Sequence, residues 1–297
     1  MPKRNSKRKI TLPAALVLCV VAVVFYLIQD QETETAPVSS YPEGCTMEVH
    51  FIDVGQGMAT LIQHEGENLL IDTGDRSAKD ELMAYLEEAG VTDFTYIIGS
   101  HPHEDHVANL DDVILAYDVG TVFLTGSDYD SALWEDIQTA IETSGVVTED
   151  PPAGYICTME DVLLEFMAPL QEDTEYSDVN DWSYVVKVTH GEDTFLFPGD
   201  ATVYSENEML ARYTRDELNV DVLDVSHHGS YLSNSPQFLE EVSADIYTIS
   251  CGEDNQYGHP QSDTLNRIAA LGGEVYRTDE SGTIVMESSG NSITVKN

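Results

Sequence analysis

Within six residues this chain carries four side chains that bind borderline metal ions: His101, His103, Asp105 and His106. The apolar run Tyr96-Ile97-Ile98 before them reads as a buried strand, so the loop leaving it would hold three imidazoles and a carboxylate in one compact nest. Donors of these types suit zinc, manganese or iron. His101 and His103, two apart on one loop, can face one cation while Asp105 and His106 face another. Asp200 follows the apolar run 195–198 at a glycine turn, Pro198-Gly199-Asp200, where its carboxylate is free to touch both. His227 and His228 end a further apolar run, 222–225; one of them is expected as a ligand and the other beside it or facing substrate. His259, in the turn Gly258-His259-Pro260, is expected to contact substrate or donate a proton, or else only to stabilise the turn. Asp53 and Asp72 each end a predicted strand close to a glycine. A carboxylate there can orient a ligating imidazole; capping of the turn is the alternative.

Two bound cations lower the pKa of a coordinated water toward neutrality, polarise the scissile group and stabilise the leaving oxygen. The chemistry expected of this constellation is therefore hydrolysis with two divalent ions as cofactors, zinc first and manganese as the alternative. Asp105, His227 and His259 are the candidates to act on the reacting groups. Among the other histidines, His50 and His64 lack a partner pattern and read as ordinary strand or turn residues, and His190 lies in a Thr-His-Gly-Glu hairpin turn. No G-x-S-x-G elbow and no phosphate-cradling GxxxxGK[ST] is present, and the cysteines lack a catalytic setting.

The elements that must position these groups are legible along the chain. Strands are expected at 47–53, 58–63 and 68–71, then a helix at 79–89 closed by Gly90, and a strand at 95–99 running into the histidine cluster. Helices follow at 106–117 and 131–144 around a strand at 121–124. Strands at 155–159, 162–167, 184–189 and 194–198 precede a helix at 203–213. Strands at 220–225, 246–250 and 274–277 alternate with helices at 236–242 and 263–271, and strands at 283–287 and 292–295 close the chain. Two blocks of strands with interspersed helices predict an α/β domain over 46–297, built of two mixed sheets packed together with helices outside.

Of the 297 residues 42% are hydrophobic, enough for a sizeable core. The formal net charge is -41. Five of the 13 basic residues stand in the first nine positions, so the rest of the chain sets 8 Lys and Arg against all 54 Asp and Glu. Such a body repels polyanions at long range and excludes nucleic-acid binding through basic patches, although a phosphate held by metal cations remains compatible. Residues 10–28 contain no charge, a length that spans a bilayer as a helix. The basic tail 1–9 would stay in the cytoplasm and place the body outside. A cleaved signal and a lipoprotein, from Leu16-Val17-Leu18-Cys19, are the alternatives. Residues 29–45 read as a polar tether. Besides Cys19, the three cysteines Cys45, Cys157 and Cys251 allow at most one disulfide within the chain. No protein partner is evident.

The histidine motif is that of the metallo-β-lactamase superfamily. Its surroundings more closely resemble the hydrolase domain of the competence protein ComEC and its stand-alone secreted relatives. The likeness rests on Phe51-Ile-Asp53-Val-Gly55-Gln56-Gly57, Leu70-Ile-Asp72-Thr-Gly74, Pro198-Gly199-Asp200, Ser226-His227-His228-Gly229-Ser230, Tyr257-Gly258-His259-Pro260 and Tyr276-Arg277-Thr278-Asp279. It implies a four-layer αβ/βα sandwich with two metals where the sheets meet. It also implies Asp200 as the bridging ligand and favours His228, which precedes a glycine, as the last one, with the reverse assignment of His227 left open. Many superfamily members supply a further histidine between the main motif and the bridging Asp, and here only His190 falls in that interval. Asn180, Asp181 or water would then complete the first site. β-Lactamase activity is not expected. The likeness points instead to a phosphodiesterase or nuclease acting on nucleic acid or a cell-wall polymer, with other small esters, phosphorylcholine among them, as the alternative. A surface module whose metals only stabilise the fold is a third possibility.

Overall fold

Val, Ile, Leu and Phe build most of the strands, whose central stretches are buried on both faces. The structure, a computed structural model, describes residues 46–125, 129–171 and 176–296. The anchor, tether and basic tail expected at 1–45 lie outside them. No helix among the described residues is long and apolar enough to cross a membrane.

The first half supplies β1 (Met47–Phe51), β2 (Thr60–His64), β3 (Glu67–Ile71), β4 (Asp93–Gly99), β5 (Asp118–Leu124) and β6 (Val147–Glu149). The second supplies β7 (Ile156–Met159), β8 (Val162–Ala168), β9 (Val185–His190), β10 (Asp193–Phe197), β11 (Val222–Asp224), β12 (Ile246–Ile249) and β13 (Glu274–Arg277). The chain closes with β14 (Ile284–Ser288) and β15 (Ile293–Lys296). One sheet has the order β15-β14-β1-β2-β3-β4-β5-β6 and the other β13-β12-β11-β10-β9-β8-β7. Both are mixed. Strands β3, β4, β5 and β6 run parallel, as do β10, β11, β12 and β13, while the remaining pairs are antiparallel.

Three apolar layers hold these sheets. Phe51, Phe123, Phe166, Phe195 and Phe197 interdigitate between them. Leu82, Leu86, Val113, Trp134 and Ile137 seal the outer face of the first sheet from α1 (Lys79–Glu88), α3 (Leu110–Ala116) and α4 (Ala132–Ser144); α2 (Glu104–Val107) belongs to the site. Met209, Phe238, Leu239 and Ile268 do the same for the second sheet from α5 (Val203–Arg212), α7 (Pro236–Val242) and α8 (Ser262–Leu271), with the single turns α6 (Arg215–Leu218) and α9 (Thr278–Ser281) between strands. Each such side chain contributes about 1.5–3 kcal/mol. Helix bounds follow capping: Ser131 Oγ accepts from Trp134 N at 3.1 Å to start α4, and Gly145, at φ 72, ends it.

The helix expected at 106–117 is instead two, α2 and α3. The His106 carbonyl accepts from Thr73 N (2.6 Å) and Thr73 Oγ1 (3.1 Å). Asn109 donates its side-chain amide to Thr73 O and Asp75 O. Backbone groups that would have continued the helix are thus tied to the loop after β3, and the break holds His106 in place. Strand β6, not expected from the sequence, is wholly exposed and so carries no alternation. Cys157 and Cys251 are both free.

Candidate metal centre

The site gathers at the carboxyl ends of strands, with Asn180 reaching it from the short helical turn Val179–Trp182. Asp72 follows β3, His101 follows β4, Asp200 follows β10, and His227 and His228 follow β11. Clefts at the carboxyl ends of parallel strands are the general ligand position in α/β folds, and here the corresponding ends of both sheets meet. Close approach is enforced by glycine. A Cβ on Gly57 would stand 2.7 Å from the Asp105 carbonyl, and one on Gly199, at φ +54, would stand 3.0 Å from Ser100 Cβ.

Two donor groups result. His101, His103 and Asp200 form one, and Asp105, His106 and His228 the other; in each, the donor atoms lie within 4.8 Å of one another. Asp200 connects them. Its Oδ1 stands 3.1 Å from His106 Nε2 and 3.8 Å from His228 Nε2, and its Oδ2 stands 3.8 Å from His101 Nε2. His228 Nε2 is 3.3 Å from Asp105 Oδ2, and His101 Nε2 is 3.0 Å from His103 Nδ1.

Hydrogen bonds set the tautomers. Asp72 accepts from Ser100 N and Ser100 Oγ, both at 2.7 Å, and from His106 Nδ1 at 2.7 Å. Ser100 Oγ, its proton given to Asp72, accepts from His101 Nδ1 at 3.1 Å. His228 Nδ1 donates to Ser250 O at 2.8 Å. His101, His106 and His228 thereby turn unprotonated Nε2 atoms inward. Nε2 of His106 and of His228 and Oδ1 of Asp200 are buried and make no hydrogen bond, a costly arrangement unless a cation occupies the space between them. The residues present fit a pair of divalent ions. Without a cation, burial opposes charge on His106, but Asp200 and Asp72 outweigh it and raise its pKa well above the usual value. Burial likewise opposes the charge of Asp200, and His106, His228 and His227 overcome it.

The remaining sequence candidates separate. Asn180 lines the cleft, and its buried Oδ1 has no hydrogen-bond partner among the described residues. Asp181 is taken: it accepts from Thr202 N, Thr202 Oγ1 and Ser205 N at the start of α5. Asp53 is a correction, because it is exposed and its Oδ1 caps Gly55 N at 3.1 Å, the turn-capping role. His227 stands with Nε2 3.5 Å from Asp200 Oδ2 and is more exposed than His228. Both histidines hold left-handed backbone, at φ 56 and 54, a strain that clusters at functional sites. His259 lies over the cleft with ring contacts to His227 and His228. Burial first, then the charges of those two rings, lowers its pKa to about 4, which favours substrate contact over acid catalysis at neutral pH. His190 belongs to a different cluster, with His64 and Asp161.

The cleft itself encloses about 410 Å³, and its lining includes Gln56, Glu104, Tyr129 and Tyr257 besides the site residues. None of the described lining residues is Lys or Arg. Tyr257 stacks on His259 with centroids 5.6 Å apart. Gln56 accepts from Gly252 N, joining the loops after β1 and β12. Gln56 and Tyr257 were visible only as members of the resembling blocks. Asp224, buried beneath the centre with Thr248 Oγ1 donating to it, was missed altogether; burial raises its carboxyl to about 7. A carboxylate inside an apolar strand gives no sequence signal of its depth.

Comparison with known proteins agrees with this geometry. The metallo-beta-lactamase superfamily profile matches residues 52–253, and the chain belongs to that superfamily, whose members are metal-dependent hydrolases in general. Among curated proteins it is similar to ComE operon protein 3 of Bacillus subtilis, with 25% identity over 80% of this chain and 32% of that one. It is also similar to Recombination protein 2 of Haemophilus influenzae, with 29% identity over 80% and 28%. Competence protein ComA of Neisseria gonorrhoeae matches at 28% identity over 78% and 31%. The chain thus spans about a third of the length of these relatives, the part that fits a ComEC-type hydrolase domain. Among solved structures, the metallo-beta-lactamase fold protein YhfI from Bacillus subtilis shares the fold at a TM-score of 0.56 and 16% identity, covering 82% of this chain and all of that one.

Proposed function

We propose that this chain hydrolyses phosphodiester bonds in a two-metal cleft. The observation that carries this reading is the pair of donor groups joined by Asp200 beneath a cleft that offers an anion no Lys or Arg. Among the described residues no Lys or Arg faces a phosphodiester anion entering there, which leaves bound cations as its strong electrostatic partners. Two divalent ions supply an acidified water and polarise the scissile group when bound. His101, His103, Asp200 and Asn180 would hold one, and Asp105, His106, His228 and Asp200 the other. His227 and His259 are left to position the substrate, with Tyr257 and Tyr129 presenting flat apolar surface to the group leaving.

Purified full-length protein loaded with Zn²⁺ or Mn²⁺ should hydrolyse bis-p-nitrophenyl phosphate, and His103→Ala should abolish it. Absence of hydrolysis with either ion rejects the reading. A second reading is favoured by the adjoining cleft, lined by Asp75, Glu104 and Asp105 beside Tyr257. Acidic and aromatic walls disfavour a long polyanion and suit a small cationic alcohol such as choline. Comparing p-nitrophenyl phosphorylcholine with single-stranded DNA separates the two. The charge-free stretch 10–28 behind five basic residues further supports membrane anchoring with the catalytic body outside. Release of the intact protein by a high-salt wash would count against it.

A further inference from the structure

We propose that His64, Asp161 and His190 form a second metal site, structural in role and specific for a zinc-class divalent cation, at the end of the sandwich remote from the cleft. His64 closes β2, Asp161 lies in the turn between β7 and β8, and His190 closes β9. From this end β3 leads away to Asp72 and β10 to Asp200, each five residues long, or roughly 15 Å at about 3.3 Å per residue. The site is therefore separate from the catalytic centre. It joins the first sheet, through β2, to the second, through β7, β8 and β9.

The argument rests on where the protons are. His64 Nδ1 lies 3.1 Å from the Thr46 carbonyl, which can only accept, so Nδ1 carries the proton. Ser288 Oγ gives its one proton to Asp193 Oδ2 at 2.7 Å and therefore accepts from His190 Nδ1, also at 2.7 Å. Both imidazoles then direct Nε2 toward the same place. The third group there is a carboxylate: His64 Nε2 hydrogen-bonds Asp161 Oδ1 at 2.5 Å, a contact whose proton a bound cation would displace. The three donor atoms lie within 4.8 Å of one another, and the two rings are 4.8 Å apart at their centroids. Two imidazole nitrogens and a carboxylate converging, each histidine anchored through its other nitrogen, is how a protein presents ligands to a metal. Both histidines are buried, at 0–1% exposure, while the Asp161 side chain is 44% exposed, so the cluster meets solvent on that side. The competing occupant is a proton on His64 Nε2, which makes the cluster a simple imidazolium–carboxylate pair.

The test uses the purified full-length chain loaded with Zn²⁺ alone and dialysed. Asp161→Ala is the first variant, because that side chain is half in solvent and its removal leaves the buried rings in place. Wild type should retain one more equivalent of zinc than Asp161→Ala, and zinc should raise the melting temperature of wild type by several degrees more. Hydrolysis of bis-p-nitrophenyl phosphate should be the same in both. A His103→Ala, Asp200→Ala, His228→Ala chain should still hold one equivalent, lost on adding His190→Gln. Equal zinc in wild type and Asp161→Ala, with equal zinc-induced melting shifts, overturns the proposal and leaves the protonated pair.

Discussion

Asp72 Oδ2 lies 2.7 Å from His106 Nδ1, and the same carboxylate reaches His101 through the Ser100 hydroxyl. One buried anion thus fixes the tautomer of an imidazole in each donor group. Asp72 is itself held at φ 61, a backbone setting that Asn tolerates well. Asp72→Asn therefore isolates the charge. Its amide would present N–H to His106 Nδ1–H, and the imidazole would relieve the clash by moving its proton to Nε2. We expect affinity for both cations to fall by about 10–100-fold, with activity restored in part by excess metal. Competition against a chelator measures this, and unchanged metal affinity would remove Asp72 from its assigned role.

Metal stoichiometry at the catalytic centre should approach two, with the ion on Asp105, His106, His228 and Asp200 held more tightly. The other group, His101, His103 and Asp200, relies on Asn180, a neutral oxygen. Asn180→Asp should tighten the weaker site and Asn180→Ala loosen it, both leaving the first equivalent unaffected. Isothermal titration of metal-free protein carrying Asp161→Ala, which removes the outlying site, resolves the two steps. The order is wrong if Asn180→Ala weakens the tighter one.

Most of this centre was legible because its ligands sit in short blocks at strand ends, where the apolar run and the turn announce each other. His101 to His106, Asp200 and His228 come together as expected from such spacing. Legibility failed where long-range packing decides. Asp53 and Asp72 have the same local signature, yet only the loop after β3 is crossed by the Asn109 amide and faces Ser100. His64 and His190 looked ordinary because their partner, Asp161, is nearly a hundred residues from one of them in sequence. The continuous helix at 106–117 matched the local pattern and was overridden by Thr73.

Acid sensitivity should carry a contribution from His259. Its folded pKa of about 4 lies below the ordinary 6.5, so the fold favours the neutral ring. The stability this contributes is complete above pH 6.5 and is lost as pH falls from there toward 4. Metal-free wild type should therefore lose melting temperature over this window more steeply than His259→Gln. Parallel curves for the two proteins would show that the ring is not held neutral.

Asp200→Ala should abolish catalysis more completely than His259→Ala. The two Asp200 oxygens face different histidine sets, Oδ1 toward His106 and His228 and Oδ2 toward His101 and His227. Removing the carboxylate deprives both donor groups of a shared anion and would leave two neighbouring dications to repel each other with less compensation. Metal content should fall with activity. His259, a neutral ring above the cleft, offers the substrate one hydrogen bond, worth about 1.5–3 kcal/mol toward a charged group, or on the order of 10–100-fold. With p-nitrophenolate as leaving group the His259→Ala enzyme should keep measurable turnover, while Asp200→Ala shows none even at saturating Zn²⁺. Steady-state rates combined with metal analysis on the same samples decide the matter. Retention of both ions and most of the activity by Asp200→Ala would mean that the carboxylate does not connect the two sites, and the two-metal mechanism would fall with it.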